Sequence, residues 1–461
     1  MRSRVSGGRV RRRTPRGAHR EDCPDRGRGG RALTLVLDER ELAMLAGAEG
    51  AGAALAMRLV VRAAEALDAP RLIPISGAHV DSCLYHGEAT IDFVNRLVDA
   101  EAHVSVPTTL NVGALDLLHP ELWRGEERTA ERGRLLMERY RLLGCTPTYT
   151  CAPYQLAFAR PALGEQVAWA ESNAIVFCNS VLGARTERYG DFTDIACAIS
   201  GRVPDAGLHR DDGRRAVLVL RLADDVPLSL RQSDALYPVL GLVLGSRAGG
   251  RVAALDGLPA RLSEDRLKAL GAAAASSGAV AMFHAVGSTP EAATLALALQ
   301  DHEPEEEGVV TLADLRAARD RLTTATGGAA VGTPIGCVSL GTPHASLAEL
   351  MTIELELAGA RPASGVEMLV STSRHLLAQA EEVGLARRLR DLGVELLVDT
   401  CSYLAPVLRP SPLPAMTDSA KWAFYAPGNI GVEVVFGSLR ECVRSAIAGS
   451  VWRDSGLWGD A

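Results

Sequence analysis

Short apolar runs alternate with longer charged stretches along the chain from residue 33 onward. The runs have the length of buried strands, and the stretches between them carry charges at helical spacing. This alternation is typical of βαβ units, which build mostly parallel sheets covered by helices. Strands are predicted over residues 33–37, 71–75, 103–106, 175–177, 216–220, 251–255, 280–283, 337–340, 368–370 and 395–399, and helices over residues 39–67 (as one helix or two), 90–100 and 120–143.

These elements indicate an α/β protein with several subdomains. Residues 205–330 are rich in Ala, Gly and Leu and carry few polar signatures, so we interpret them as a scaffold subdomain with the chemistry on either side. No apolar run reaches the length that a bilayer span requires. We therefore expect no membrane contact and a cytoplasmic location.

The first 32 residues differ from the rest of the chain. Residues 1–31 hold eleven arginines against three acidic residues, a local charge of +8 in a chain whose net charge is −7. Because the segment has few apolar residues and no periodicity, it is predicted to be a disordered tail outside the fold. An over-extended start codon explains it equally well, and a transit peptide or nucleic-acid arm is a weaker interpretation. The acidic remainder gives no support to nucleic-acid binding.

Two rare residue types bear on the chemistry. Nine cysteines are scattered through the chain, and without a secretory signal they indicate reduced thiols or metal ligands rather than disulfides. Among 49 basic residues only Lys268 and Lys421 are lysines, a bias that a GC-rich genome explains. Lys268 lies on an amphipathic helical stretch and is predicted to be a solvated surface charge.

Four polar segments follow predicted strands, where parallel α/β sheets bind their ligands. They cover residues 76–87, residues 106–111, residues 144–154 together with 169–174, and residues 398–401 together with 417–422. One polar loop after a strand is usually a solvated turn. Four of them in one chain favour an enzyme.

The segments resemble the aconitase X family, whose members include cis-3-hydroxy-L-proline dehydratase and phosphomevalonate dehydratase. The resemblance covers residues 33–461 and implies an aconitase-like fold, with mostly parallel sheets around a central cleft. The motifs that carry it are HVDSCLYHG (79–87), VPTTLNV (106–112), TYTCAPYQ (148–155), WAESNAIVF (169–177), NSVLGARTERYGDF (179–192), GTPHASLAEL (341–350), DTCSY (399–403) and the segment from Lys421 to Pro427.

The resemblance implies a hydro-lyase with an iron–sulfur centre that acts as a Lewis acid. It places cluster cysteines at Cys151 and Cys401. The third cysteine of the family is absent, because Thr342 occupies its position in Gly-Thr-Pro-His. We expect Cys337 to take its place, with Cys145 as the alternative, so that a [4Fe-4S] cluster, a [2Fe-2S] cluster and a mononuclear iron all stay open. His344, beside the expected centre, is either a hydrogen-bond donor to it or an ordinary core histidine.

The resemblance also implies a set of substrate contacts. The expected substrate-binding residues are Ser82, Cys83, Asn111, Glu171, Ser172 and Lys421. Catalytic roles are expected for Glu171 and Ser82, and Glu171 serves either in proton transfer or as an orienting acceptor. The compact ammonium of Lys421 suits a carboxylate or phosphate oxygen. Arg185 is expected to form an internal ion pair rather than to bind an anionic substrate.

The loop at residues 79–87 is similar to the bacterial hydroxyproline type, so dehydration of cis-3-hydroxy-L-proline is the expected reaction. Dehydration of phosphomevalonate is the alternative substrate assignment. The family also requires a small swivelling domain, fused or on a separate chain, and we expect a separate small subunit as partner. A cluster-free binding or regulatory relative is the alternative of another class, because one expected cysteine is missing.

Overall fold

The computed structural model describes residues 35–326 and 330–459, and residues Thr34–Ala461 form one compact unit. The predicted tail at residues 1–32 lies outside the described residues. Within the described ranges, no helix is both long enough and apolar enough to cross a membrane. Three regions follow one another along the chain, each built around parallel strands.

The first region, through residue 214, contains a three-stranded parallel sheet in the order β3-β2-β4 and a separate antiparallel pair of β1 and β5. Its strands are β1 (Leu72–Pro74), β2 (Ala78–Val80), β3 (Thr108–Leu110), β4 (Ala168–Trp169) and β5 (Arg202–Pro204). Its α-helices are α1 (Glu39–Leu45), α2 (Ala51–Ala66), α3 (Glu88–Asp99), α4 (Glu127–Leu142), α5 (Ser172–Phe177) and α6 (Thr193–Ser200). One turn of π-helix at Cys178–Leu182 continues α5, and 3-10 turns lie at Pro120–Leu122, Pro153–Gln155, Gly207–His209 and Asp212–Arg214.

The second region contains a four-stranded parallel sheet in the order β8-β7-β6-β9. Its strands are β6 (Leu218–Leu222), β7 (Ala253–Asp256), β8 (Phe283–Ala285) and β9 (Glu306–Val310). Its helices are α7 (Leu228–Arg231), α8 (Leu236–Ala248), α9 (Glu264–Gly278), α10 (Leu295–Ala298) and α11 (Leu312–Arg321). The sheet lies within residues 205–330, the range interpreted as a scaffold.

The third region contains a five-stranded parallel sheet in the order β12-β11-β10-β13-β14. Its strands are β10 (Cys337–Ala345), β11 (Glu367–Thr372), β12 (Glu395–Leu397), β13 (Ala415–Thr417) and β14 (Val434–Phe436). Its helices are α12 (Leu347–Leu357), α13 (Arg374–Glu382), α14 (Leu385–Asp391), α15 (Ala420–Ile430) and α16 (Leu439–Ala448).

Helix α9 of the second region contacts both of the other regions. It packs on α8, on α5 of the first region, and on β10 and α15 of the third. Its approach to α5 is close, because a Cβ at Gly271 would lie 2.9 Å from a methyl carbon of Val176. The separation between α9 and α5 therefore depends on a residue without a side chain.

Four predicted elements differ from the structure. Residues 175–177 belong to helix α5 rather than to a strand, because a buried helix and a buried strand give the same unbroken apolar run. The strand predicted at 103–106 lies after Pro107 instead, since residues 108–110 pair with β2. Of the strand predicted at 33–37, the described residues 35–37 contribute a single bridge at Val36, and the helix predicted from residue 120 begins at residue 127 after a separate turn.

Candidate active site

The site lies at the carboxyl ends of the strands of two parallel sheets. Strands β2, β3 and β4 of the first region lead into one half of it, and β10, β12 and β13 of the third region lead into the other half. The polar side chains at or just beyond these strand ends are Asp81, Asn111, Glu171, His344, Cys401 and Lys421. Both halves thus use the end of a parallel sheet at which ligands are normally bound.

Three buried side chains form a compact group of metal-binding type. The ligand atoms of Cys151, His344 and Cys401 all lie within 4.8 Å of one another. The exposure of these residues is 3%, 0% and 1%, respectively. The backbone N–H of His344 donates to Cys151 Sγ at 3.2 Å. Two thiolates and one imidazole are a donor set that binds iron and zinc, and hydrogen bonds to sulfur tune such centres.

Buried polar contacts hold Cys151 and His344 in place. Thr150 Oγ1 lies 3.0 Å from His344 Nδ1, and His344 Nε2 lies 3.1 Å from the carbonyl oxygen of Thr400. The side-chain amide of Asn173 donates to the carbonyl of Cys151 at 2.7 Å. Asn173 lies on α5, two residues after Glu171, which caps the start of that helix. The Cys151 loop and the Glu171 segment are therefore fixed to each other.

The loop that carries Cys401 is held from several sides. Asp399 accepts from the Arg374 guanidinium at 2.7 Å and 2.5 Å, and its backbone adopts a left-handed φ of 62°. Ser402 Oγ accepts from the indole N–H of Trp422 at 3.0 Å. These contacts order the turn in which Cys401 lies.

The charges around Cys151 favour its thiolate. Burial opposes ionisation, but the hydrogen bond from Cys401 and the positive charge at His344 and Lys421 lower the pKa of Cys151 to about 6. The same hydrogen bond, together with burial, raises the pKa of Cys401. Since the thiolate is the form that binds metals, the hydrogen bond between the two thiols and the Lys421 charge favour the metal-binding form of one of them.

Glu171 and Lys421 form a buried ion pair between the two halves of the site. Glu171 precedes α5 and accepts from the backbone N–H of Ala174 at 2.8 Å. Burial alone would raise the pKa of Glu171, but the Lys421 charge outweighs it and the net shift is downward. Burial likewise disfavours the Lys421 ammonium, and the Glu171 charge reverses this to raise its pKa. Both groups are therefore charged near neutral pH.

A cavity of about 250 Å³ opens beside this pair. Its lining residues are Asp81, Leu84, Asn111, Val112, Cys151, Glu171, Ser172, Tyr403, Leu404, Lys421, Tyr425 and Asn429. Asn111 donates its amide to Asp81. Burial, followed by the nearby Glu171 charge, raises the pKa of Asp81 to about 7. Cys151 lies in the same wall, so the cavity reaches from the metal-binding group to the polar side chains.

Four of the six expected substrate contacts line this cavity, and two do not. Asn111, Glu171, Ser172 and Lys421 are in its wall. The hydroxyl of Ser82 instead donates to the buried Asp194 carboxylate and accepts from a backbone N–H.

Cys83 is also outside the cavity wall, since its thiol is fully buried and donates to the Asn111 carbonyl at 3.2 Å. Ser82 and Cys83 therefore make hydrogen bonds within the protein next to the cavity. Their placement outside the cavity wall gives no support to the expected roles in substrate binding and catalysis.

The expected third thiol lies elsewhere. Cys337 begins strand β10 and His344 lies near its other end, so most of the strand separates them. The charged groups nearest to the Cys337 thiol are Glu367, Glu395 and Arg409, none of which belongs to the site. Cys145 packs in the core cluster that contains Cys83. His344, and neither of these cysteines, completes the group with Cys151 and Cys401.

The prediction for Lys268 was wrong, and that for Arg185 is confirmed. Lys268 is 3% exposed and forms ion pairs with Asp265 and Glu349. Its helix packs between other elements of the protein, so the face that looks solvated in the sequence is covered. Arg185 forms an ion pair with Asp211, as expected.

Sequence reasoning missed Asp81, Tyr403 and Tyr425 as cavity residues. Asp81 is the residue immediately after β2, a position that the rule for parallel sheets marks as ligand-facing. The motif resemblance points to the neighbouring Ser82 hydroxyl and Cys83 thiol instead. The two tyrosines, whose rings stack with centroids 5.8 Å apart, come together only in the folded chain.

Comparison with known proteins places the chain in a family. Models of the aconitase X first, second and third domains match residues 34–212, 217–320 and 335–448. The chain belongs to the aconitase X family. The three matched segments coincide with the three sheet-containing regions of the fold.

Curated relatives and a solved structure agree with this assignment. A cis-3-hydroxy-L-proline dehydratase of Pseudomonas aeruginosa is 42% identical over 90% of this chain and 70% of its own length. A phosphomevalonate dehydratase large subunit of Methanosarcina mazei is 33% identical over 90% of this chain and 98% of its own length. A crystal structure described as aconitase X (holo-form) of Thermococcus kodakaraensis matches with a TM-score of 0.78 at 31% identity, over 89% of this chain and all of its own.

These findings confirm the predicted family, the α/β fold class and the enzyme class. The relatives are named dehydratases, and the chain is a hydro-lyase of the aconitase X family.

Proposed function

We propose that this aconitase X protein dehydrates cis-3-hydroxy-L-proline, with an iron–sulfur centre and a small swivelling subunit as partner. The choice of substrate rests on the charged residues of the cavity wall. The wall contains the carboxyl groups of Asp81 and Glu171 and the ammonium of Lys421. A zwitterionic amino acid suits this balance, because it brings both a cation and an anion.

The iron centre is assigned to Cys151, Cys401 and His344. Their donor atoms are close together and buried, and Cys151 also lines the cavity, so the group fits a centre that faces a substrate. When bound, the centre supplies a Lewis acid to the hydroxyl group that leaves. A set of two thiols and one imidazole takes the place of three cysteines, in agreement with Thr342 at the family's cysteine position.

Lys421 is assigned to the substrate carboxylate. Its ammonium donates to Glu171 and lies 3.5 Å from Ser172 Oγ, which leaves one of its three N–H groups for a ligand. Glu171 fixes the direction of that ammonium. Because its pKa is lowered, Glu171 is a weaker base than an ordinary carboxylate and serves here as an orienting acceptor. The base that removes the proton is then expected on the partner subunit.

Asp81 is assigned to the ring ammonium of the substrate. Its carboxyl group lines the cavity, and its only side-chain hydrogen bond within the described chain comes from Asn111. The raised pKa of Asp81 reflects burial and the nearby Glu171 charge. A secondary ammonium in the cavity would supply that cation and favour the charged form of Asp81.

The same wall disfavours phosphomevalonate, the alternative substrate. A phosphate monoester carries nearly two negative charges, and proteins bind it with arginines, lysines or clustered backbone N–H groups. Among the cavity-lining residues within the described ranges there is no arginine, and the single lysine is already paired with Glu171. The match to phosphomevalonate large subunits over 98% of their length nevertheless keeps this substrate in the test.

The partner is supported by the name of a relative. The chain matches 98% of a protein named a large subunit, and that name implies a smaller partner. We propose that a small subunit completes the cavity of this chain.

Activity with both substrates tests the proposed reaction. The chain and its small subunit, purified together without oxygen, are assayed with cis-3-hydroxy-L-proline and with phosphomevalonate. We expect turnover of the first substrate only. Asp81→Asn should raise KM for hydroxyproline about 10- to 100-fold with a smaller change in kcat, because a charge-assisted contact contributes about 1.5–3 kcal/mol. Turnover of phosphomevalonate alone would overturn the substrate assignment.

Iron and sulfide analysis tests the centre and separates the enzyme from a cluster-free relative. Cys151→Ser, Cys401→Ser and His344→Ala should each lose most of the bound iron, whereas Cys337→Ser should keep it. Protein made with full cluster-assembly capacity that contains neither iron nor sulfide would contradict the proposed function. Loss of iron in Cys337→Ser but not in His344→Ala would reverse the assignment of the third ligand.

A further inference from the structure

A second, smaller cavity lies behind the metal-binding group. It has a volume of about 40 Å³ and shares no lining residue with the cavity assigned to the substrate. Its polar and charged wall includes Thr342, Lys268, Glu349, Asp418 and Ser419. Cysteine and histidine are absent from the wall within the described chain, so any ligand here meets oxygen atoms and one ammonium.

The charges around this cavity do not balance. Lys268 is paired with Glu349 and with Asp265, which lies 3.0 Å away. Asp418 adds a third carboxyl group to the single ammonium. Its carboxyl group has no hydrogen-bond or ion-pair partner from another residue within the described ranges. Three carboxylates and one ammonium leave a local charge of −2 when all are ionised.

Thr342 has a buried hydroxyl group without a hydrogen-bond partner among the described residues, an observation independent of the charges. Its side chain is 6% exposed, and its hydroxyl oxygen is buried with no hydrogen-bond partner in the described chain. Buried hydroxyl groups are almost always satisfied by protein, water or an ion. Thr342 and Asp418 both line the small cavity, and each has a polar side chain without a partner among the described residues.

We propose that this cavity binds a hard divalent cation, of the Mg²⁺ or Ca²⁺ class, with Asp418 and Thr342 among its ligands. Such cations prefer carboxylate, hydroxyl and carbonyl oxygens, and a charge of +2 balances the local charge of −2. The volume admits one ion, since a water molecule occupies about 30 Å³ in the liquid. Burial and the Glu349 charge raise the pKa of Asp418 to about 7, and a cation in the cavity would favour its charged form.

The proposed ion would support the iron-binding group without touching the substrate. Thr342 and His344 lie on the same strand, β10, and Lys268 Nζ is 3.4 Å from the His344 carbonyl oxygen. An ion held by Thr342 and Asp418 would therefore fix the strand end that presents His344. The proposal does not depend on which substrate the larger cavity binds.

Thermal unfolding in the presence of defined salts tests this site. The chain with its cluster is dialysed free of divalent ions and titrated with MgCl2 or CaCl2, with KCl at equal ionic strength as control. We expect a saturable rise in Tm with one of the divalent salts and none with KCl. Asp418→Asn should weaken the apparent affinity for the ion at least about tenfold, and Thr342→Val should weaken it less. Asp234→Asn is the matched control, because Asp234 influences Asp418 only through space and does not line the cavity.

The sign of the change in ion-free buffer adds a second readout. Asp418→Asn removes a partly buried carboxyl group close to Glu349, so its Tm without divalent ions should equal or exceed that of the wild type. No saturable shift with either divalent salt would overturn the proposal. Equal shifts in Asp418→Asn and Asp234→Asn would also overturn it, because the effect would then be general screening. If Asp418→Asn does not fold, Thr342→Val provides the same comparison.

Discussion

The surroundings of the two lysines, Lys421 and Lys268, show what separates a binding site from a structural ion pair. Both ammonium groups are at least 95% buried, and both are paired with glutamate. Around Lys268, two carboxylates and a carbonyl oxygen engage all three donors. Around Lys421, one N–H faces a cavity of about 250 Å³. Both lysines are buried and paired with a glutamate. Only Lys421 has a donor without a protein partner among the described residues and lies in the wall of the larger cavity.

Lys421→Met should give the largest effect. It removes the donor proposed for the substrate and leaves Glu171 without its counter-charge. We expect kcat/KM to fall about 1000-fold, similar to the loss of a preorganised charge-stabilising donor. Steady-state kinetics of iron-loaded protein measures this change, and Lys421→Arg is the control for charge alone. A loss of less than about tenfold would show that Lys421 does not touch the substrate.

Lys268→Met should act on stability instead. The substitution leaves Glu349 and Asp265 without a counter-charge, and their side chains are 28% and 32% exposed. Loss of one partner of a fully buried ion pair costs about 3 kcal/mol or more in the free energy of unfolding, and we expect a smaller loss here because water screens the two carboxylates. Denaturant titration measures this cost, and kinetics at low temperature should show that the folded fraction keeps most of its activity. A stable but inactive Lys268→Met protein would remove the distinction between the two lysines.

Asp81 and Glu171, the two acids in the wall of the larger cavity, should affect the pH dependence of the protein's stability in different ways, because only Glu171 is paired with a lysine. Asp81 keeps its proton in the folded state up to about pH 7, whereas the unfolded chain releases it near pH 4. The native state thus binds more protons between these values, and the contribution of Asp81 to stability falls as pH rises toward 7. Asp81→Asn should therefore gain stability relative to wild type from pH 5 to pH 7, by about 1 kcal/mol or more.

Glu171→Gln is the matched comparison for this measurement. Because the pKa of Glu171 is lowered by Lys421, the stabilising charge pair is present above the unfolded pKa and is lost only in acid. Glu171→Gln should thus be less stable than the wild type by a constant amount between pH 5 and pH 7. Parallel curves for the two variants would contradict the different environments of Asp81 and Glu171.

Cys337→Ser should give the smallest effect. Its thiol lies at the start of β10, away from the group that contains His344. Replacement of a buried thiol by a hydroxyl should cost roughly 1 kcal/mol in the free energy of unfolding. Iron content, visible spectrum and kcat should stay those of the wild type, in contrast to Cys151→Ser. A changed spectrum would place Cys337 within reach of the iron centre.

The sequence predicted most of the architecture, since parallel βαβ units leave a strong alternating pattern. Its failures have local causes. The last four residues of α5, 174–177, are all apolar and buried, so residues 175–177 could not be distinguished from a strand by periodicity. The charged residues of α9 suggested a solvated face, although Lys268 meets Glu349 across 81 residues of sequence. Partners so distant are invisible without the fold.

The candidate site was predictable in part for a related reason. Motifs located Cys151, Cys401, Glu171 and Lys421, because each belongs to a short segment with a distinctive order of residues. His344 lies beside the two thiols and Cys337 does not, because the end of β10 that carries His344 is the end that meets the first region. That information lies in the pairing of sheets rather than in any motif.

The contacts of α9 give the middle region an influence on the substrate that its sequence does not suggest. Glu171 caps the start of α5, and Val176 lies near the end of that helix. Gly271 on α9 allows the two helices to pack so closely that a Cβ at this position would lie 2.9 Å from a methyl carbon of Val176. Exchange of that single hydrogen atom for a larger group would displace α5 and move Glu171 relative to Lys421. The spacing between the two sides of the candidate site then depends partly on a helix that lines no part of the larger cavity.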